Sequence, residues 1–495
     1  MSFPILSGIL LAPVLGVLII LFIPQREDLI IKIVAAITTG ISMLLSLIAY
    51  VKYDQSIGGI QFVERIPWIE KLGVEYALGV DGISLPLVLL TAIVIFTGVF
   101  ASWGLEKRVK EFFVFLLALV AGVFGVFLTT DLFFFYLFFE VAVIPMYILI
   151  GVWGSTNKEY AAMKLTIYLL VGSAFALIAV IGVYLYTGLN TFDIQTLTQQ
   201  TYDIGFQKFA FFLLMIGFGF LVPMWPMHTW SPDGHVAAPT AVSMLHAGVL
   251  MKLGGYGLVR VGIFLFPEGA KFWAPVIALL CIVNVVYGAM VAMAQKDLKF
   301  VIGYSSVSHM GYVLLGIAAL NTLSINGAVA QMFAHGIMTA LFFALVGNVY
   351  NKAHTRMIAD FGGLAHQMPR IAAGFVIAGL ASLGLPGLIN FVAEFSIFVG
   401  AFRVYPVLAI LAISGIVITA VYVLRVVQRV FFGPRNPKWD GLEDAKGIEL
   451  VPIVILCAVL IYLGFFPSFL MEIINNGVDP FVQEYLSTLK VGGMF

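Results

Sequence analysis

Fourteen apolar runs, each near the length of about 20 residues that a helix needs to cross the hydrocarbon core, divide this chain almost end to end. Their limits are 4–23, 29–51, 82–103, 111–130, 131–152, 160–187, 207–227, 238–263, 273–293, 298–320, 325–349, 371–401, 405–432 and 450–472. In lipid every backbone polar group must be satisfied within the protein, so runs of this length fold as helices. Of the 495 residues, 61% are hydrophobic and 11% charged, which is more apolar surface than a water-soluble core absorbs. The sequence therefore predicts an all-α polytopic membrane protein. The first run begins directly at Met1-Ser2-Phe3, with neither a basic leader nor a small-residue cleavage site, and reads as a retained helix.

Cys281 and Cys457 lie in separate apolar runs and are too few and too far apart for an iron-sulfur cluster or a structural zinc. No glycine-rich phosphate loop follows a strand-like run. The formal net charge of +0 says nothing about partners, and nothing points to nucleic acid. Loops on one side carry fourteen Lys and Arg, from Arg26 to Lys446, against eight on the other, from Lys52 to Lys490. The basic side is expected inside, which puts both termini outside.

Against this background, charged residues within the spans stand out. Glu140 has no other charged side chain for eight residues to either side, and a carboxylate there costs roughly 2.5 kcal/mol or more unless it is protonated, paired or wet. Lys164, His246, Lys252, His309, His335, Glu394 and Arg425 also fall within spans. At 1.5 Å per residue, Glu140, His309 and His335 lie roughly 14 to 17 Å deep, His246 about 12 Å and Lys252 about 21 Å. Each has a bland reading. A lone buried His is commonly a hydrogen-bonded structural residue, Lys164 is near enough to its helix end to snorkel, Arg425 and Arg429 suit the interface, and Glu140 and Lys252 could be a structural ion pair. Acids, lysines and histidines on several helices at similar depth also form the pattern of a proton relay.

Two stretches break the helical pattern. FLVPMWPMHTWSPDGHVAAPT (220–240) contains four prolines, and LASLGLPGLINFVAEF (380–395) combines Gly and Pro. Interruptions near 220–236 and 383–391 would free backbone groups that need a cavity or side-chain partners. Such a pair is what a duplicated transporter fold with inverted repeats shows; two ordinary kinks are the alternative.

DLFFFYLFFEVAVIPMYILIGVWG, HTWSPDGHVAAPTAVSMLHAGVLMKLGGYGLVR, AQKDLKFVIGYSSVSHMGYVLLG and GLPGLINFVAEF resemble stretches of the subunit M family, the antiporter-like membrane-arm subunits of proton-pumping NADH:quinone oxidoreductase, respiratory complex I. The runs 79–92 and 354–369 resemble it too, so the likeness spans nearly the whole chain. It implies about fourteen helices with two inverted five-helix repeats: 1–110 for the first three helices, 111–264 and 270–432 for the repeats, and 433–495 for the last helix and tail. It also implies a proton path in which Glu140 occupies the fifth-helix position, Lys252 the eighth and Glu394 the twelfth, with His335 on the central axis. His246, His309 and Lys164 are further candidates.

The chain departs from the family at one place. Where the family reads Lys, one residue, Pro before the first break, this chain reads Leu221-Val222-Pro223. The lysine that would pair with Glu140 is missing. Three outcomes stay open: Glu140 is protonated at rest, Lys164, expected too near the membrane surface for direct contact, substitutes through water, or this half-channel differs in mechanism from its relatives. The resemblance further implies a non-redox subunit of a translocase in a bacterial inner membrane, with no cofactor of its own. FMN, iron-sulfur clusters and quinone are expected in partner subunits, and two neighbouring antiporter-like subunits as its closest partners besides the bilayer. The alternatives are a subunit of a multi-subunit sodium/proton antiporter, a subunit of a membrane-bound hydrogenase-type complex, and a scaffold with a disabled relay.

Overall fold

The computed structural model describes residues 4–491; Met1-Ser2-Phe3 and the side chain of Lys490 lie outside the described residues. Long helices dominate, numbered here by span: α1 Ile5–Phe22, α2 Asp28–Lys52, α3 Ser84–Ala101, α4 Val109–Leu128, α5 Leu132–Trp153, α6 Lys158–Thr187, α7 Ile204–Leu221, α8 Thr240–Ile263, α9 Pro267–Ala294, α10 Leu298–Ala318 and α11 Thr322–Ala353. The twelfth, α12, comes in two halves, Pro369–Ser382 and Ile389–Phe402, followed by α13 Pro406–Phe432 and α14 Gly447–Phe465. A last helix, α15, runs Ser468–Val491.

Burial orders these helices into layers. Over their most apolar stretches α8 and α11 are 100% buried, α10 89% and α3 83%, whereas α1, α2, α13 and α14 are 28–39% buried and carry the lipid-facing apolar residues. The innermost helices are thus the ones bearing His246, Lys252, His309 and His335, which spares these groups contact with hydrocarbon.

The first break follows from proline chemistry. Pro223 has no N–H, and the chain leaves α7 after Leu221. Its freed groups find side-chain partners: Trp230 Nε1 donates to the Phe220 carbonyl at 2.8 Å, Asn284 Nδ2 to the Pro223 carbonyl at 2.8 Å, and the Trp225 amide to Asn284 Oδ1 at 2.6 Å. A short helix, Trp230–Ala237, then leads into α8.

The second break is a glycine cap. Gly384 takes φ +62°, the left-handed turn that ends a helix cheaply only without a side chain. The Leu385 amide reaches back to the Leu380 carbonyl at 3.1 Å and the Gly384 amide to that of Ala381 at 3.0 Å, the paired bonds of a Schellman motif. The run 371–401, expected as one span interrupted near 383–391, is two half-helices, neither long enough to cross the membrane alone.

Two elements escaped the sequence reading. An antiparallel hairpin, β1 Gln61–Ile69 with β2 Val74–Val80, lies on the face where α1 begins, and the Glu64 carboxylate caps the Leu6 and Ser7 amides at 3.0 Å each. The second is α15, held by Asn326 Nδ2 donating to Asn475 at 2.7 Å and Asp479 at 2.9 Å.

Candidate functional site

Lys252 lies on a regular turn of α8, Met251–Gly257, between two π-helical turns, His246–Leu250 and Leu258–Ile263. Such under-wound turns recur at functional sites because each leaves carbonyls off the usual ladder. Here the displaced Ala247 carbonyl accepts from Lys252 Nζ. The same Nζ faces His335 Nδ1 on α11 at 2.8 Å. Backbone proximity makes this contact possible: α8 and α11 cross at Gly248 and Gly336, where a Cβ on Gly336 would sit 2.5 Å from the Gly248 carbonyl oxygen.

From His335 the file continues to His309 on α10, the two rings 5.3 Å apart. His309 Nδ1 meets the Ser305 carbonyl at 2.8 Å, while Nε2 meets the Ser382 carbonyl at 3.2 Å and Glu394 Oε1 at 3.7 Å. Each ring nitrogen thus has an acceptor, so a proton can be held on either. Glu394 also accepts from Gln331 Nε2 at 2.9 Å. Its carboxylate fits against the second break because Gly384 has no side chain; a Cβ there would lie 2.6 Å from Glu394 Oε2. All four members, Lys252, His335, His309 and Glu394, are at most 2% exposed.

His246, two turns before Lys252, stacks between Trp230 and His235, at ring distances of 5.1 and 4.1 Å. Neither of its ring nitrogens has a hydrogen-bond partner, and the Nε2 of His335 is likewise unpartnered, so polar atoms line this interior beyond the bonds they make. His235 itself bonds Ser231 Oγ at 3.1 Å and lies close enough to interact electrostatically with His335. The sequence reading missed His235 because it sits in the proline-rich stretch taken as a break. It also missed Lys299, whose buried ammonium donates to the Ala238 carbonyl at 2.7 Å, and Gln331.

Two candidates stand apart from this file. Lys164 pairs with Asp233 at 2.8 Å, with no hydrogen bond or ion pair to Glu140 among the described residues. Glu140 is half-buried on α5, on the side where Val141, Ile144 and Tyr147 are 38–62% exposed. Its neighbour is the Tyr136 hydroxyl one turn earlier, which also contacts Ser173. Glu140 Oε1 has no hydrogen-bond partner, and no cation pairs with it among the described residues. Leu221, where a lysine was expected, is a buried apolar residue ending α7. Arg425 and Arg429 line a cavity at the end of α13, in keeping with an interfacial position.

Known proteins resemble this chain in sequence and in fold. The family described as NADH:quinone oxidoreductase/Mrp antiporter, transmembrane, matches residues 129–419. NADH-quinone oxidoreductase subunit M of Rickettsia prowazekii is 37% identical, covering 98% of this chain and 100% of its own. The subunit M of Rhodobacter capsulatus is 40% identical over 92% and 91%. Respiratory complex I from Thermus thermophilus contains a chain that superposes with a TM-score of 0.90 at 29% identity, covering 98% of this chain and 99% of that one. The Mrp complex from Dietzia sp. matches at TM-score 0.82 and 20% identity over 98% of both chains, a likeness of fold alone. The chain belongs to the NADH:quinone oxidoreductase/Mrp antiporter transmembrane family, as an antiporter-like membrane subunit most similar among these relatives to subunit M.

Proposed function

We propose that this chain is the subunit M of an NADH:quinone oxidoreductase and moves protons across the membrane while partner subunits carry out the redox chemistry. The observation that carries this is the buried file Lys252–His335–His309–Glu394, in which successive titratable groups touch or nearly touch across four helices. A proton gained or lost by one member changes the electrostatic cost of charge on the next, which is how occupancy passes along such a file. Lys252 and the histidines act as the central relay and Glu394 as the outlet carboxyl. Glu140 acts as the input switch, with His246 and Lys164 in supporting places.

Glu140 sits on a lateral face, so a carboxylate there needs cover from lipid. A neighbouring antiporter-like subunit supplies that cover and, with it, the counter-charge that Leu221 does not. The protein resides in the bacterial inner membrane with both termini and the hairpin on the outer side. Residues 111–264 and 270–432 form the two inverted repeats, each holding one broken helix, after helices 1–110 and before 433–495. FMN, iron-sulfur clusters and quinone belong to partner subunits.

The test is Lys252→Met in the assembled complex, reconstituted in vesicles. NADH-driven proton uptake falls while NADH oxidation continues with an uncoupler present. Unchanged uptake by a correctly assembled complex would remove Lys252, and the file built around it, from the pumping route.

A further inference from the structure

A second polar path reaches the file from the side. On the face carrying Lys296 and Arg429, a cavity of about 360 Å³ opens among α9, α13 and the loop after α11, bounded on its inner side by Val301, Tyr422 and Val426. The same three residues bound a smaller chamber of about 20 Å³, which Ser305 and Ser382 also line. A chamber of that size holds one water, given two to four polar partners. Those partners are present. Tyr422 Oη donates to Ser305 Oγ at 2.7 Å, and Ser305 Oγ lies 3.4 Å from His309 Nδ1. Ser382 Oγ and Thr419 Oγ1 are both buried without a hydrogen bond of ordinary length, and both flank the Tyr422 hydroxyl. Ser305, Ser382 and Tyr422 are the hydroxyls that line the chamber, whose remaining wall is apolar, so a water there has these three to bond and no others.

We propose that Tyr422 and Ser305 form a proton port joining this face directly to His309 and Glu394, without passing through Glu140 or Lys252. A proton arriving from cavity water binds the Tyr422 oxygen as the Tyr422 hydroxyl proton passes to Ser305. The Ser305 proton passes in turn to His309 Nδ1, when that nitrogen is free. Each oxygen gives up one proton as it receives one, so neither hydroxyl retains a charge, and both then rotate back. Lys296, Arg425 and Arg429 at the mouth repel cations, but all three are exposed, and salt screens such charges within about 8 to 10 Å. The port also gives the second repeat its own supply in a chain whose first repeat lacks the expected lysine at Leu221. This inference rests on the reading of Glu394 as a proton carrier.

The assembled complex is reconstituted in vesicles with Tyr422→Phe, Ser305→Ala, Ser305→Thr or Glu394→Gln, and protons taken up per NADH oxidised are measured. Tyr422→Phe keeps the ring and its packing, and Ser305→Thr keeps the hydroxyl. The port predicts that Tyr422→Phe and Ser305→Ala lower the yield, by less than Glu394→Gln, which removes the outlet shared with the Lys252 route, while Ser305→Thr holds the wild-type yield. Wild-type yield in Tyr422→Phe and Ser305→Ala beside a fall in Glu394→Gln overturns the port and leaves the relay standing. An equal fall in Ser305→Ala and Ser305→Thr also overturns it, since the hydroxyl would then not matter. A wild-type yield in Glu394→Gln overturns the relay reading and the port with it.

Discussion

Glu140 and Arg260 show how differently two charges can be managed in one membrane protein. Arg260 is bound to Asp81 at 2.5 Å and is 8% exposed, and Asp81 also accepts from the Ile83 and Ser84 amides at 3.0 Å each. Removing one member of such a pair leaves the other buried and uncompensated, a cost of about 3 to 5 kcal/mol. Arg260→Met is therefore expected to lower the thermal aggregation midpoint of the purified complex, and an unchanged midpoint would show that the pair does not hold α8 to the start of α3. Glu140 has no such partner within the chain. Glu140→Gln is expected to cut proton uptake at an unchanged midpoint, and full uptake in that variant would end its assignment as a switch. Both charges are equally visible in the sequence. What was not visible is which of them is answered, since Asp81 lies 179 positions from Arg260 and only the fold brings them together.

At the level of elements, the crossing of α8 and α11 matters most. Gly248 and Gly336 let the two backbones approach closely enough for Lys252 to reach His335 at 2.8 Å. Gly336→Ala touches no titratable group, yet its added methyl would press on the Gly248 carbonyl and on Leu90. Proton uptake is expected to fall with NADH oxidation retained in the presence of an uncoupler; a variant that pumps normally would mean the contact tolerates the displacement. Hydropathy located the helices well, since runs of about 20 apolar residues have few other ways to sit in lipid. It could not by itself place the break in α12, which the Gly and Pro of 383–391 marked instead. Nor could it find the hairpin, whose strand Gln61–Ile69 mixes charges with Pro67 and shows no clean alternation. The helix α15 was passed over for a related reason: it is amphipathic and lies beyond the last strongly apolar run.

For the whole molecule, the arrangement reduces to a layered bundle in which the helices least exposed to lipid carry the groups most costly to expose. The presence of several titratable groups within the spans was legible from position alone, and the fold buries His246, Lys252, His309, His335 and Glu394. Their order was not, because contacts between α8, α11, α10 and α12 depend on how two broken helices pack, which no local pattern encodes. The structure places Lys252, His335, His309 and Glu394 in one file and sets Glu140 and Lys164 apart from it. The central claim is that protons pass between Lys252 and Glu394 through the two histidines. The direct measurement is the number of protons taken up per NADH oxidised by vesicles containing the assembled complex with His335→Leu, which puts an apolar side chain of similar bulk there that holds no proton. The account predicts a ratio below that of the wild type with NADH oxidation continuing; an unchanged ratio would contradict it.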